Sequence, residues 1–186
     1  MRLAYLGAAM KYAQRLLAPE GFGTSHGTIT IYSAPKPVLR HIEWTIGNVL
    51  GNPFSLNWKV HRLSPSTFWT EANWSGPRGV ASQIASELKG WHYLNFEIHE
   101  TAANGSDGSL FMYTPELGIF YANVGPHGDV MINENQIQSI IRENISEVDV
   151  IEKLERTIGK PWDNQLEPFR RATKDIPADE DVRLSV

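Results

Sequence analysis

The feature that most constrains this chain is a change of hydrophobic period. Between Gly27 and His99 the apolar residues recur every second position, then at helical spacing, and the exchange repeats in the order strand, helix, strand, strand, helix, strand. Thr28 to Tyr32 alternates, with Ile29 and Ile31 on one side and Thr28, Thr30 and Tyr32 on the other. Val38, Leu39, Ile42, Ile46, Val49 and Leu50 then make a helical stripe, opened by the Ser33-to-Pro37 segment and stopped by Gly51. Phe54, Leu56, Trp58 and Val60 read as one arm of a hairpin, Ser64-Pro65-Ser66 as its turn, and Phe68, Thr70, Ala72 and Trp74 as the returning arm. A second helix carries Val80, Ala81, Ile84, Ala85 and Leu88, and a strand with Leu94, Phe96 and Ile98 follows.

This βαββαβ order predicts an α+β domain with a ferredoxin-like core, two helices covering one face of an antiparallel sheet. Short strands at Leu110 to Tyr113, Ile119 to Asn123 and Asp129 to Ile132 extend it as an antiparallel β-meander. C-terminal helices complete it, with Asn133 capping one and Ser146 with Asp149 forming a capping box before another. Pro161 opens the last helix and Pro168 is expected to interrupt it. The expected division is an N-terminal extension over 1–26, a single α+β domain over 27–172 and a loose acidic tail over 173–186. In the extension, Leu3, Leu6, Met10, Ala13 and Leu17 have the spacing of a short amphipathic helix, and the apolar run is too short for a membrane span.

Composition excludes several function classes. The 186 residues include no cysteine, which removes disulfides, thiolate chemistry and Cys-ligated metals, and fits a cytoplasmic protein. A net charge of −4 supplies no field to hold a nucleic acid, so no nucleic-acid partner is expected, and no membrane partner either. No HExxH, P-loop, dinucleotide-binding or nucleophile-elbow pattern occurs, so neither a metal nor a cofactor is assigned. Asn104-Gly105-Ser106-Asp107-Gly108 imitates the start of a calcium loop, but Pro115 stands where the bidentate glutamate would fall, and a hairpin turn is expected instead.

Two places carry the remaining chemistry. On the first helix, His41, Trp44 and Asn48 lie opposite the apolar stripe with Glu43 at its flank. A tryptophan there needs either a covering helix or a ligand, and His41 and Glu43 are separate candidates for acid–base roles, since two residues apart on a helix they do not face each other and cannot form a simple pair. The second place is the turn Gly76-Pro77-Arg78-Gly79 before the second helix. Its amides, the helix dipole and Arg78 together suit an anion, which makes Gly76, Arg78 and Gly79 ligand-binding candidates. His99 joins the catalytic candidates because Glu97, two residues earlier on the same strand, shares its side. The outward sheet face also carries Tyr32 and Trp69, which a partner subunit, the C-terminal helices or an RNA base could cover.

Several of these segments together, namely His41-Ile42-Glu43-Trp44, Asn73-Trp74-Ser75-Gly76-Pro77, Tyr113-Thr114-Pro115 with Leu117-Gly118, Gly128-Asp129-Val130-Met131 and Trp162-Asp163 with Leu166-Glu167-Pro168-Phe169-Arg170, resemble an uncharacterised family of actinobacterial proteins catalogued only as a domain of unknown function. The likeness runs from about Gly27 to Arg170 and implies a bacterial, intracellular protein. It transfers no activity and no catalytic residue. The expectation is therefore a non-catalytic binding or regulatory module for a small anionic ligand or a protein partner. The alternatives are a hydrolase or isomerase using His/Glu general acid–base chemistry, and a structural homo-oligomer.

Overall fold

The computed structural model describes residues 23–102, 106–143 and 146–174. The amphipathic stretch from Leu3 to Leu17, Asn104-Gly105 and the tail after Lys174 lie outside the described residues.

Among the described residues seven strands form one antiparallel sheet: β1 (Thr24–Pro35), β2 (Lys59–His61), β3 (Ser64–Pro77), β4 (Asn95–Glu100), β5 (Gly108–Thr114), β6 (Gly118–Val124) and β7 (Val130–Met131). Their spatial order is β2-β3-β1-β4-β5-β6-β7. The first strand thus sits between the third and the fourth, and the meander is added beyond the fourth. A short 3₁₀ turn, Lys36–Val38, leads from β1 into helix α1 (Leu39–Leu50), and α2 (Val80–Leu88) follows β3. Helices α3 (Glu134–Arg142), α4 (Glu147–Thr157) and α5 (Lys160–Lys174) follow the sheet. The α+β class expected from the alternating periods is what the chain adopts.

The two sheet faces are closed differently. On one, α1 and α2 bury Ile42, Ile46, Ile84 and Leu88 against Ile29, Ile31, Trp74, Phe96 and Ile98. Removing these side chains from water supplies the main drive for the fold, about 1.5–3 kcal/mol for each large one. Gly27 is dictated by this packing. A β-carbon there would lie 1.9 Å from the His99 carbonyl oxygen and 2.3 Å from the Trp74 ring. The other face is covered by α5, whose Trp162 and Leu166 pack over Tyr32, Leu110, Met112 and Phe120. The Trp162 indole donates to the Gly118 carbonyl at 2.9 Å. Strand β5 is buried on both faces, so its run Leu110-Phe111-Met112-Tyr113 is continuously apolar.

Several expectations need correction. Phe54 to Trp58 alternates but is not a strand; only Lys59–His61 pairs with β3. Leu56 and Trp58 are buried all the same, and Glu43 takes up the Leu56 amide that a ladder would otherwise use. Ser33 does not cap α1, since it is still in β1, opposite Asn95. Pro168 sits inside a continuous α5 rather than dividing it. Strand β1 starts at Thr24 and α5 runs to Lys174. The caps hold as read: Asn133 accepts from the Asn135 amide at 2.9 Å, and Ser146 accepts from that of Asp149 at 3.3 Å.

Candidate functional site

Helix α1 turns Leu39, Ile42, Ile46 and Leu50 into the core and leaves His41, Trp44 and Asn48 on the solvent side. Among the described residues no helix covers Trp44, which is 68% exposed. An indole is a large apolar surface to leave in water mid-helix. It stands on the rim of a cleft of about 730 Å³ between α1 and the segment after it, lined by Arg40, Glu43, Trp44, Asn48, Asn52 and Phe54. Gly51 ends α1 in the left-handed conformation, and the Asn52 side chain donates to the Leu50 carbonyl at 3.1 Å, fixing the turn that closes the cleft.

Glu43 has a structural task there. One oxygen accepts from the Leu56 amide at 3.0 Å and from the buried Trp58 indole at 3.1 Å, pinning the extended segment to α1. That oxygen is committed to two donors, which gives Glu43 a structural role in the turn. His41 is exposed on α1, and among the described residues no hydrogen bond or ion pair joins it to Glu43.

The turn at Gly76–Gly79 also opens on a cleft, of about 410 Å³, lined by Arg78, Gly79, Ser82, Glu100, Phe111 and Tyr121 among others. The anion expected at the α2 N-terminus is already present as part of the chain. The Glu100 carboxylate accepts from the Gly79 amide at 2.7 Å and from the Ala81 amide at 3.3 Å. A ligand anion would meet a buried carboxylate rather than free donors, so the anion-binding reading of Gly76 and Gly79 is corrected. Gly79 serves the left-handed turn (φ 82°), and Gly76 lies against Leu50 and Val80, where a β-carbon would be 3.1–3.2 Å from their side chains. Arg78 remains exposed on the cleft's rim.

His99 meets Glu97 directly, Nε2 to Oε1 at 2.8 Å. The other Glu97 oxygen accepts from the Tyr32 hydroxyl at 2.8 Å and from Arg170 Nη2 at 2.9 Å and Nε at 3.2 Å. Arg170 also reaches Asp163 at 2.9 Å. Burial alone would raise the Glu97 pKa, but the His99 hydrogen bond and the Arg170 charge outweigh it and hold the carboxyl at about 2. Burial and then the Glu97 charge push the Tyr32 hydroxyl well above its ordinary range. Burial works against the Arg170 charge, yet Glu97 beside it raises the guanidinium's pKa. With four hydrogen bonds on it, Glu97 anchors α5 to the sheet, and the expected His99–Glu97 acid–base pair is built into that anchor. The same contacts place Tyr32 under α5 instead of on an open face, which overturns both a base-stacking role for it and burial of that part of the sheet by a second subunit.

Trp44 and Asn48, singled out from the sequence, line one cleft, whereas Glu100 and Arg170 were not singled out. Glu100 had a signal: Leu94, Phe96, Ile98 and Glu100 share the core phase of β4, so a glutamate was placed where only a partnered one is tolerated. Arg170 had none, since its partners lie 73 and 138 residues away in sequence. Among the described residues no three His, Asp or Glu side chains gather as a metal site, and no helix is long and apolar enough to cross a membrane.

No curated protein and no solved structure matches the chain. A family model does match, across residues 28–180, a span that takes in the sheet, the α1 cleft and the α5 anchor. The chain therefore belongs to the family described as Protein of unknown function (DUF3145).

Proposed function

We propose that this domain is a non-catalytic binding module whose recognition surface is the Trp44 side of α1, and that its ligand is a protein partner. The observation that carries the reading is Trp44 itself, 68% exposed on the rim of the 730 Å³ cleft. Tryptophan is among the residues most enriched where binding energy concentrates, because it offers a large rigid apolar surface with a single donor. Arg40, Asn48 and Asn52 around it supply the polar rim that fixes orientation. A small anionic ligand is the less favoured form of the same reading, since Glu100 already fills the turn that suited an anion best. The acid–base alternative loses its pairs, Glu43 to the Leu56 and Trp58 donors and Glu97 to the α5 anchor. The absence of cysteine supports a reducing, cytoplasmic setting for the partner.

The test is affinity capture from native lysate, read by intact-complex mass spectrometry, with wild type and Trp44→Ala compared at equal loading. The reading expects a stoichiometric species that the variant loses. An unchanged set of bound species on a folded variant would remove α1 as the recognition surface.

A further inference from the structure

The edge of a sheet is a row of backbone donors and acceptors, and part of one edge is open here. The Thr101 amide donates to the His26 carbonyl at 2.8 Å, so His26 and, by alternation, Thr28 and Thr30 exchange their hydrogen bonds with the β4 side. Gly27, Ile29 and Ile31 then exchange theirs with Trp74, Ala72 and Thr70 of β3. The residues between these on β3, Glu71, Asn73 and Ser75, aim N–H and C=O away from β1. Trp69, next in the same phase, is met by Lys59, where the ladder with β2 ends. Among the described residues nothing pairs with Glu71, Asn73 or Ser75 on that side, and all three are exposed. The stretch that would continue β2 along this edge, Phe54 to Trp58, is held to α1 by Glu43 and has Leu56 and Trp58 buried.

Open edges invite pairing, and natural sheets blunt them with short strands, lysine, proline or bulges. The other edges of this sheet follow that rule. Strand β7 is two residues long, and β2 is three long with an irregular register against β3. Between Glu71 and Ser75, by contrast, β3 has no lysine, no proline and no bulge. Its open rungs recur at about 6.8 Å, the two-residue repeat of an extended main chain. We infer that this edge of β3 takes up an extended segment of a partner protein as an added strand. The side chains of the open rungs stand on the face away from α1 and α2, and Glu71 is the one charge among them. The added strand therefore sets a lysine or arginine against Glu71, since opposite charges stabilise cross-strand pairs. This surface uses neither Trp44 nor the α1 cleft and is independent of the function proposed above.

A displayed library of random peptides, panned against the full chain, tests it. Enriched peptides are expected to carry a basic residue and, when bound, to slow amide exchange at Glu71, Asn73 and Ser75. Asn73→Pro removes the central open donor and spares the β1 ladder, a substitution that edge strands accept. It is expected to keep the wild-type far-ultraviolet circular dichroism spectrum and to bind the enriched peptides about tenfold more weakly. Glu71→Lys is expected to weaken the same peptides, and Trp44→Ala to bind them as wild type does. No enriched peptide, protection confined to other amides, or undiminished binding by Asn73→Pro would each overturn the inference. So would unfolding of Asn73→Pro, which would put that amide in the β1 ladder. Sedimentation velocity of the protein alone is expected to show no dimer that Asn73→Pro abolishes; such a dimer would give the edge to a second copy and overturn the inference as well.

Discussion

At the scale of single residues, the account rests on side chains whose partners leave no room for substitution. Gly27 is the clearest. Alanine there drives a β-carbon into the His99 carbonyl and the Trp74 ring, both part of the main core. Overpacking of this kind typically costs about 1–3 kcal/mol, and here backbone is among the obstructing atoms, so Gly27→Ala is expected at the upper end in urea unfolding. Glu43 is the second. Glu43→Ala orphans the Leu56 amide and the fully buried Trp58 indole, and each unsatisfied donor costs about 1–3 kcal/mol. The variant is expected to be less stable and to show a changed near-ultraviolet circular dichroism signal, as the segment from Phe54 to Trp58 comes away from α1. Unchanged stability in either variant would show that these contacts do not hold the fold. Glu100→Ala removes the carboxylate that caps α2 and is expected to cost about 0.5–2 kcal/mol, the range of N-cap losses.

At the scale of elements, α5 is held by a charged anchor whose response to acid has a definite sign. Glu97 is held at about 2 in the folded chain against an ordinary 4.5, so its contribution is fully present above the ordinary value and is lost as pH falls between them. His61, buried beside the Phe169 ring of α5, has its pKa lowered by burial. The unfolded chain therefore takes up that proton first, and stability falls as pH drops below the ordinary histidine value of 6.5. Both groups destabilise the fold in acid. Unfolding measured against pH is expected to weaken from about 6.5 downward through His61 and again below about 4.5 through Glu97, with Glu97→Gln abolishing the second phase alone. Arg170→Ala leaves the largely buried Glu97 carboxylate with its His99 and Tyr32 hydrogen bonds alone, a loss below the roughly 3–5 kcal/mol of a fully uncompensated buried charge. Amide exchange is expected to show it first in α5.

The elements also show how far sequence carries. Alternation reported burial faithfully and pairing less so. Phe54, Leu56 and Trp58 alternate because they face the core, but Glu43 intercepts the backbone and no ladder forms. Conversely, Thr24 to Gly27 pairs with β3 from Pro77 to Trp74, yet has no apolar alternation to announce it. The caps on α3 and α4 were legible because their bonds span two or three residues. The α5 anchor was not, because nothing local marks Arg170 as the partner of Glu97.

At the scale of the whole molecule, the sheet commits each face to a covering layer, and what stays exposed is informative for that reason. One face is closed by α1 and α2 and the other by α5. Among the apolar features exposed outside these layers are Trp44 on the back of α1 and the stripe of α4. The first was readable from the sequence as a tryptophan opposite a core stripe, although its lack of cover was not, since that depends on where α5 packs. The second was hidden, because the same spacing would equally have served a buried helix. Trp44 is the one assigned to a protein partner.

The claim that Trp44 marks the recognition surface can be tested in living cells with a photo-crosslinking amino acid placed at position 44, and in parallel at Tyr93, which is exposed but outside the α1 cleft. The account predicts a discrete adduct with another protein from position 44 and none from position 93. Identical adducts from both positions, or none from position 44, would contradict it.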